Sequence, residues 1–262
     1  METQIATNSY AFSIAFSIRK DFRRTALSRP CHTSTASWIR IVPLVAFMML
    51  TACANETLFR SNFDRTPIGQ PPATMQDTGT AHVHGPAGSV LIVAPPVLPS
   101  GKWVRISRPD GPEVAGFQGT FSQFRGDSVY TFSTMMFMPS GSGIATIQFE
   151  TFTNPVSSLQ AFLHLDFTQD NQIRIDDNEG TKFGSFPRDQ PFIVQVTLNI
   201  NASASTAHIV LSGAGASGER DYTVIPPLQN LSRQFGAIRL WQGFPHTGAF
   251  DATNIAVTRK TN

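Results

Sequence analysis

The sequence predicts an all-β protein, built as an antiparallel sandwich or barrel. Short apolar or alternating runs recur along the chain, and each is bounded by Gly, Pro, Asn or Asp residues. No stretch sustains the 3.6-residue apolar period of an amphipathic helix. The composition agrees, because 21 of the 262 residues are Phe and only 15% are charged. Aromatic and β-branched residues favour strands.

The first distinct element is an apolar run near the N-terminus. Arg40 precedes Ile41–Leu50, and the run ends in Leu50-Thr51-Ala52-Cys53. A positive flank, about 7–15 apolar residues and a small-residue ending are typical of a secretion signal. The run is too short for a membrane span, which needs about 20 residues. Its ending resembles the lipobox of bacterial lipoproteins, which implies cleavage before Cys53 and a diacylglycerol on that residue.

This resemblance divides the chain into a leader with signal peptide (1–52), a lipidated tether (53–58) and a body (59–262). The partner implied is a membrane, reached through the lipid on Cys53. Many members of the lipoprotein family are retained in the inner membrane by an Asp after the Cys. Ala54 stands there instead, which implies the outer membrane of the bacterial envelope if the host is Gram-negative.

The segment before the apolar run is longer than a signal peptide needs. Two explanations remain open: translation begins nearer Leu27, or residues 1–38 form a disordered cytoplasmic leader. An Arg- and Ser-rich leader also suits a mitochondrial targeting peptide. The lipobox-like ending favours the bacterial interpretation.

The charge of the body argues against one class of partner, and its cysteine content shows how it is stabilised. Six of the 20 basic and two of the 18 acidic side chains lie in residues 1–52, so 14 basic and 16 acidic ones remain. A near-neutral body without a basic cluster argues against nucleic acid as a partner. The two cysteines are Cys31 and Cys53, so the body folds without disulfides. A chain of this length can do so.

Eleven strands are predicted in the body, and Pro226–Phe235 holds at most one helical turn. The predicted strands are Ser89–Val93, Lys102–Ser107, Val129–Met138, Ile144–Phe152, Gln160–Thr168, Gln172–Asp176, Phe192–Ile200, Ala207–Ser212, Arg220–Ile225, Ala237–Gln242 and Ala249–Thr258. Strands spaced in this way without intervening helices indicate an antiparallel arrangement.

Alternation assigns two sides to the central strands, an apolar side and a polar, solvated side. In Ile144–Glu150, for example, every second residue is apolar. If these strands are neighbours, their polar sides form one surface. The residues predicted on the polar sides include Glu150, Phe162, His164, Asp166, Arg174, Arg239 and Trp241.

Three segments resemble the concanavalin A-like (laminin-G-like) jelly-roll superfamily, over about residues 59–259. Phe63-Asp64 followed by Pro67-Ile68-Gly69 resembles the entry of such domains. Phe192–Leu198 with Ala207–Leu211 resembles their late hairpin, and Phe250–Thr258 resembles the closing strand that pairs with the first. The resemblance implies a jelly-roll sandwich but no particular activity, since one fold serves many functions.

The polar side supplies the candidate binding site. An exposed indole beside acids and guanidinium groups suits carbohydrate, because sugars present apolar C–H faces and many hydroxyls. We therefore expect non-catalytic binding of a glycan, with polysaccharide as the ligand, at Glu150, His164, Asp166, Arg174, Arg239 and Trp241. The alternative is an ordinary solvated face with cross-strand ion pairs. In that case the protein is a structural or interaction lipoprotein.

Catalysis is a second alternative, as a hydrolase or a lyase. Glycosidases place two carboxyls about 5–5.5 Å or about 6.5–9.5 Å apart, and Glu150 with Asp166 could supply such a pair across adjacent strands, assisted by His164. The E-x-D-x-x-E pattern of jelly-roll glucanases is absent, and no Tyr matches the sandwich-fold lyases. The sequence therefore gives no recognisable catalytic motif.

No cofactor is expected. Members of the superfamily often hold a structural Ca²⁺ where the chain ends pair, and the resemblance places Asp64 and Asp251 there. Ca²⁺ needs six to eight oxygens, so this is a weak metal candidate. His82 and His84 share one side of an extended segment, most simply read as a loop pair, and two imidazoles are too few for a committed Zn²⁺ or Cu²⁺ site.

Overall fold

The computed structural model describes residues 55–97, 101–108, 113–122, 126–151, 160–226, 228–243 and 246–260. The leader, the lipobox-like segment and Cys53 lie outside the described residues. Across the described ranges, no helix has the length and apolar character that a bilayer crossing requires.

Within these ranges the chain forms fifteen strands and one helical turn. They are β1 (Asn55–Ser61), β2 (Thr80–His84), β3 (Val90–Val93), β4 (Trp103–Arg108), β5 (Ala115–Thr120), β6 (Ser128–Phe137), β7 (Ala145–Thr151), β8 (Ala161–Phe167), β9 (Ile173–Ile175), β10 (Asn178–Phe183), β11 (Pro191–Ile200), β12 (Thr206–Ser212), β13 (Gly218–Thr223), α1 (Gln229–Ser232), β14 (Phe235–Gln242) and β15 (Gly248–Lys260).

The strands form two antiparallel sheets. The eight-stranded sheet has the order β13-β12-β11-β6-β15-β4-β3, with β1 paired to the C-terminal half of β15. The seven-stranded sheet has the order β10-β9-β8-β7-β14-β5-β2. The antiparallel β-sandwich predicted from the sequence is confirmed. So are two pairings implied by the jelly-roll resemblance, β15 with β1 and β11 with β12.

A Phe-rich core fills the space between the sheets. Phe235 lies near its centre and meets Phe121, Tyr130 and Phe162 edge-on, with ring centroids 5.1, 5.2 and 5.6 Å apart. Such edge-to-face pairs add about 0.5–1.5 kcal/mol each beyond the area they bury. Apolar burial and ring packing therefore hold the sandwich together without disulfides.

All eleven predicted strands overlap an observed one, whereas β1, β2, β5 and β10 were not predicted. In β5, Gly116 and Gly119 weaken the strand signal, since Gly is depleted in strands. The structure explains Gly119: a Cβ there would lie 2.6 Å from Cζ of Phe59, a ring that crosses the strand from the opposite sheet. β1 begins at Asn55, inside the segment that the sequence assigned to a tether.

The assignment of Phe162 to the polar side was wrong. The register between β7 and β8 shifts between Phe149 and Glu150, so that Glu150 pairs with Ala161. This bulge changes the alternation and turns Phe162 into the core, where it is fully buried against Phe235. His164 and Asp166, beyond the bulge, keep their predicted side.

Candidate binding face on the seven-stranded sheet

The outer side of the seven-stranded sheet carries the candidate site, which we call the polar face. Strand register aligns its side chains in rows, because paired residues in an antiparallel sheet point the same way. One row crosses the sheet as His82, Gln118, Arg239, Gln148 and His164. The next row is His84, Gly116, Trp241, Thr146, Asp166 and Arg174.

Five of the six predicted binding residues lie in these two rows. Glu150, two residues from Gln148 on β7, points to the same side, so all six lie on one face of one sheet. The face is less solvated than alternation suggested: Glu150 is 2% exposed, Asp166 4% and Gln118 0%. Polar groups removed from water must be hydrogen-bonded or paired. The side chains of this face accordingly form hydrogen bonds with one another. We call its buried members Glu150, Gln118 and Asp166 the buried polar layer, and the accessible side chains contact it.

Glu150 is the centre of that layer. Gln118 Nε2 donates to its Oε2 at 2.6 Å, and Arg239 Nε lies 3.2 Å from its Oε1. The Gln148 amide fits its neighbours when its nitrogen donates to Glu150 Oε1 and its oxygen accepts from Trp241 Nε1, both at 3.1 Å. Burial raises the pKa of the Glu150 carboxyl, and the charge of Arg239 and the Gln118 bond oppose that rise.

Asp166 is the centre of a second group toward β9. Thr146 donates to its Oδ1 at 2.7 Å, and Arg174 Nη2 donates to its Oδ2 at 3.0 Å. Burial raises the pKa of Asp166, and these two bonds oppose the rise. Arg174 also pairs with Asp177 and Glu179, each at 2.8 Å. Its guanidinium is therefore shared among three carboxylates, as in the predicted alternative of cross-strand ion pairs.

The register separates the two buried acids. Asp166 pairs with Thr146, four residues along β7 from Glu150, which corresponds to about 13 Å between backbone positions. Their hydrogen bonds also draw the two carboxyls apart, Glu150 toward β5 and β14 and Asp166 toward β9. The glycosidase spacing considered for this pair therefore gains no support from the register.

Trp241 is half-buried and closely seated. A Cβ at Gly243 would lie 2.7 Å from Cη2 of the indole, and one at Gly116 would lie 3.0 Å from Trp241 Cβ. The ring thus packs against the Gly243 backbone while Nε1 is bonded to Gln148. Gly243 and the Gln148 amide therefore fix the orientation of the indole, while Gly116 leaves room for its Cβ.

Two adjoining clefts open on the polar face and share Gln148 and His164. The large cleft, about 520 Å³, is lined by Gln148, Glu150, Gln160, Ala161, His164, Leu228, Leu231 and Arg239. The small cleft, about 330 Å³, is lined by Ile144, Thr146, Gln148, His164, Asp166, Arg174, Asp177, Trp241, Gly243 and His246. Together they can hold a ligand longer than a single small ring.

The weak metal candidates gain no support. Both carboxylate oxygens of Asp251 accept from Arg105, at 2.8 and 2.9 Å, and Asp251 is fully buried. Asp64 accepts from its neighbour Asn62. In the part of the chain that the structure describes, no group of three or more His, Cys, Asp or Glu residues could hold a metal ion. The calcium expectation stays a prediction.

His82 and His84 are not a loop pair: they belong to β2, at the edge of the polar face. His84 Nε2 lies 3.4 Å from Gln118 Oε1. Burial lowers the pKa of His84, and the charge of nearby Arg239 lowers it further. The edge strand thus extends the polar layer that begins at Glu150.

Sequence reasoning missed several residues of the face. Gln118 was overlooked because its strand β5 was not predicted, and Leu228 and Leu231 because a turn of chain gives no periodic signal. Thr146 and Gln148 alternate with Glu150 on the polar side of their strand, and this alternation was the signal that could have added them to the predicted binding residues. Nothing else in the sequence distinguished them from ordinary solvated residues.

Comparisons with known proteins bear on the fold. No protein-family model matches the sequence, and no curated protein matches it. An endo-1,3-beta-glucanase from Streptomyces sioyaensis superposes with a TM-score of 0.52 at 13% identity, over 79% of this chain and 97% of that one. Arcelin-5, a lectin-like defense protein from Phaseolus vulgaris, gives 0.48 at 9% identity, over 79% and 99%.

A third structure, lectin II from Ulex europaeus, gives a TM-score of 0.43 at 10% identity, over 72% of this chain and 95% of that one. At such identities the glucanase similarity shows the fold alone. The fold is an antiparallel β-sandwich of two sheets, similar to that of the glucanase.

The raised pKa of Glu150 predicts a pH-dependent stability. The native state keeps the proton between the ordinary value near 4.5 and the raised folded value, while the unfolded chain releases it. The contribution of the protonated Glu150 carboxyl to the free energy of unfolding is thus complete below the ordinary pKa. It is lost as pH rises from the ordinary pKa through the raised pKa of the folded state. Because glutamine does not titrate, Glu150→Gln should gain stability relative to wild type as pH rises from the ordinary pKa of the carboxyl through its raised pKa in the folded state.

Urea unfolding of both proteins at half-unit pH steps measures this difference. Glu219→Gln, the same charge change on the exposed edge strand β13, serves as the matched control. A difference for Glu150→Gln that stays constant with pH, or shrinks as pH rises, would show that burial does not govern this carboxyl.

Proposed function

We propose that the protein is an exported, lipid-anchored envelope protein whose jelly roll binds glycan through the polar face without cleaving it. The observation that supports binding most directly is Trp241, half-buried at the small cleft and fixed by Gly243 and Gln148. A preoriented indole binds a sugar ring without first losing its own conformational freedom. Its exposed surface suits the C–H face of a pyranose.

The polar groups around the indole complement this apolar contact. Across the two clefts, amide, imidazole and guanidinium groups line the walls within one continuous surface. Binding sites for small ligands combine apolar surface with a few placed polar groups in this way. An oligosaccharide lying from the large cleft into the small one would meet donors and acceptors along its length.

The separation of Glu150 and Asp166 favours binding over hydrolysis. A glycosidase needs both carboxyls beside one glycosidic bond, whereas here each acid belongs to its own hydrogen-bonded group. A hydrolase or lyase of the same fold is therefore the second candidate, and a structural lipoprotein without a sugar ligand is the third. The ion pairs of Arg174 are the observation that favours the third.

A glycan array with the full chain tests binding, and it should include β-1,3-glucan because the Streptomyces protein of similar fold is named as a glucanase acting on that linkage. We expect at least one class of polysaccharide to bind. Trp241→Ala should weaken binding of that glycan by about tenfold, the effect of losing one aromatic contact of about 1.4 kcal/mol. Isothermal titration calorimetry measures the change.

Gly243→Ala provides a sharper variant, because it keeps the indole but displaces it. The new Cβ would overlap the ring, so binding should weaken toward that of Trp241→Ala. Gly180→Ala is the matched control, since a Cβ there meets only Asn178 Oδ1 at 3.3 Å. Absence of binding across the array, or full binding by Trp241→Ala, would count against the proposal. Release of shortened products would select the enzymatic candidate.

The lipid anchor is tested separately. Labelling cells with an alkyne analogue of palmitate should tag the wild-type protein, and Cys53→Ser should abolish the label because the modified thiol is gone. Cys31→Ser is the control for an unrelated cysteine. If Cys53→Ser remains labelled and bound to membranes, the proposed anchor is wrong, and the glycan-binding proposal is unaffected.

A further inference from the structure

Arg239 presents the end of its guanidinium to the large cleft. Its Nε is buried and faces Glu150 Oε1 at 3.2 Å, whereas the side chain as a whole is 23% exposed. Neither terminal nitrogen, Nη1 or Nη2, forms a hydrogen bond with any residue that the structure describes. The N–H groups that a guanidinium directs away from its stem are therefore available to a ligand.

The surroundings hold this guanidinium in place. Arg239 lies on β14, an interior strand flanked by β5 and β7, so its stem is packed on both sides. The carboxyl of Glu150 lies 3.2 Å from Nε, and Leu228 and Leu231 form an apolar wall of the cleft. Apolar walls lower the local dielectric and strengthen a charge-assisted hydrogen bond formed there.

The planar guanidinium of Arg239 indicates which chemical group of a ligand it would bind. Two parallel N–H donors on a planar guanidinium match the two oxygens of a carboxylate, giving a bidentate pair that single hydroxyls cannot reproduce. His164 lines the same cleft and adds a further nitrogen that can donate. Both oxygens of Glu150 are already engaged within the buried layer, by Gln118 and Gln148.

The small cleft has the opposite character. Asp166 and Asp177 line it, and its cation Arg174 is already paired with three carboxylates. A second anion there would meet uncompensated negative charge. The two clefts thus differ in the sugar each favours, acidic in the large cleft and neutral over Trp241 in the small one.

We propose, resting on the glycan-binding function above, that the large cleft is a subsite for a carboxylate-bearing sugar, a uronate, which pairs in bidentate fashion with Arg239. The ligand class is then an acidic polysaccharide in which a uronate precedes the sugar that contacts Trp241. This assignment concerns the chemistry of the ligand and requires no cleavage step.

Matched oligosaccharides test the assignment. Oligogalacturonates and their fully methyl-esterified counterparts differ only in the carboxylate, and calorimetry with the full chain compares them. We expect the acid form to bind about tenfold more tightly, the size of one charge-assisted pair. The preference should shrink as salt rises from about 0.05 to 0.5 M, because screening weakens an accessible ion pair.

Arg239→Lys is the informative variant. Lysine keeps the positive charge beside the buried Glu150 but lacks the two parallel N–H donors of a guanidinium. The acid preference, measured in the same variant as the ratio of acid-form to ester-form affinity, should therefore fall below about threefold. Arg220→Lys, on the exposed edge strand β13, is the matched control and should keep the full preference. Circular dichroism establishes that each variant is folded.

Several outcomes overturn the inference. Equal affinity of wild type for acid and ester forms would exclude a carboxylate subsite, as would an unchanged preference in folded Arg239→Lys. Equally tight binding of sulfated oligosaccharides would show that the large cleft binds negative charge in general and is not specific for a carboxylate. If Arg239→Lys does not fold, the salt dependence of the wild type takes its place as the test. An acid preference of the wild type that does not change with salt would then exclude the proposed ion pair. Absence of binding to every glycan is the failure of the proposed function itself.

Discussion

The buried carboxylate of Glu150 is the constraint on which the polar face depends. A carboxylate that is 2% exposed must be compensated by partners, since an unpaired buried charge costs several kcal/mol. Its partners Gln118, Arg239 and Gln148 come from three different strands. The order β7-β14-β5 is therefore tied to one side chain. The two groups that the proposed glycan would contact, the guanidinium of Arg239 and the indole of Trp241, lie against Glu150 or Gln148.

This dependence explains how one sheet surface can contain two unlike clefts. On the Glu150 side, the acid is covered by its partners and the cation Arg239 is left accessible. On the Asp166 side, the cation Arg174 is shared and acidic groups remain at the wall. Trp241 lies in the acidic small cleft, beside the large cleft that contains Arg239. A polymer bound across both clefts would meet different groups at its two ends. Such asymmetry suits directional binding of a polymer better than symmetric catalysis between two acids.

The sequence predicted the sandwich and the composition of the polar face, because alternation in β7, β8, β9 and β14 is read from residue types alone. It could not predict the bulge at Glu150 that moved Phe162 into the core, since a register shift depends on the partner strand. It missed β5 because its glycines are explained only by contacts made in the fold, Gly119 by the Phe59 ring and Gly116 by the neighbouring strand at Leu240 and Trp241. Burial of Glu150 likewise depends on β5. The proposed lipid anchor at Cys53 is supported by the sequence alone.

Glycan binding by the polar face is tested most directly by mapping ligand contacts with nuclear magnetic resonance. Backbone and indole N–H signals of the protein would be followed while a bound glycan from the array is titrated. We expect the perturbed signals to belong to β7, β8 and β14, with Trp241 Nε1–H among the largest shifts. Perturbations confined to the outer side of the eight-stranded sheet, with Trp241 and Arg239 unchanged, would contradict it.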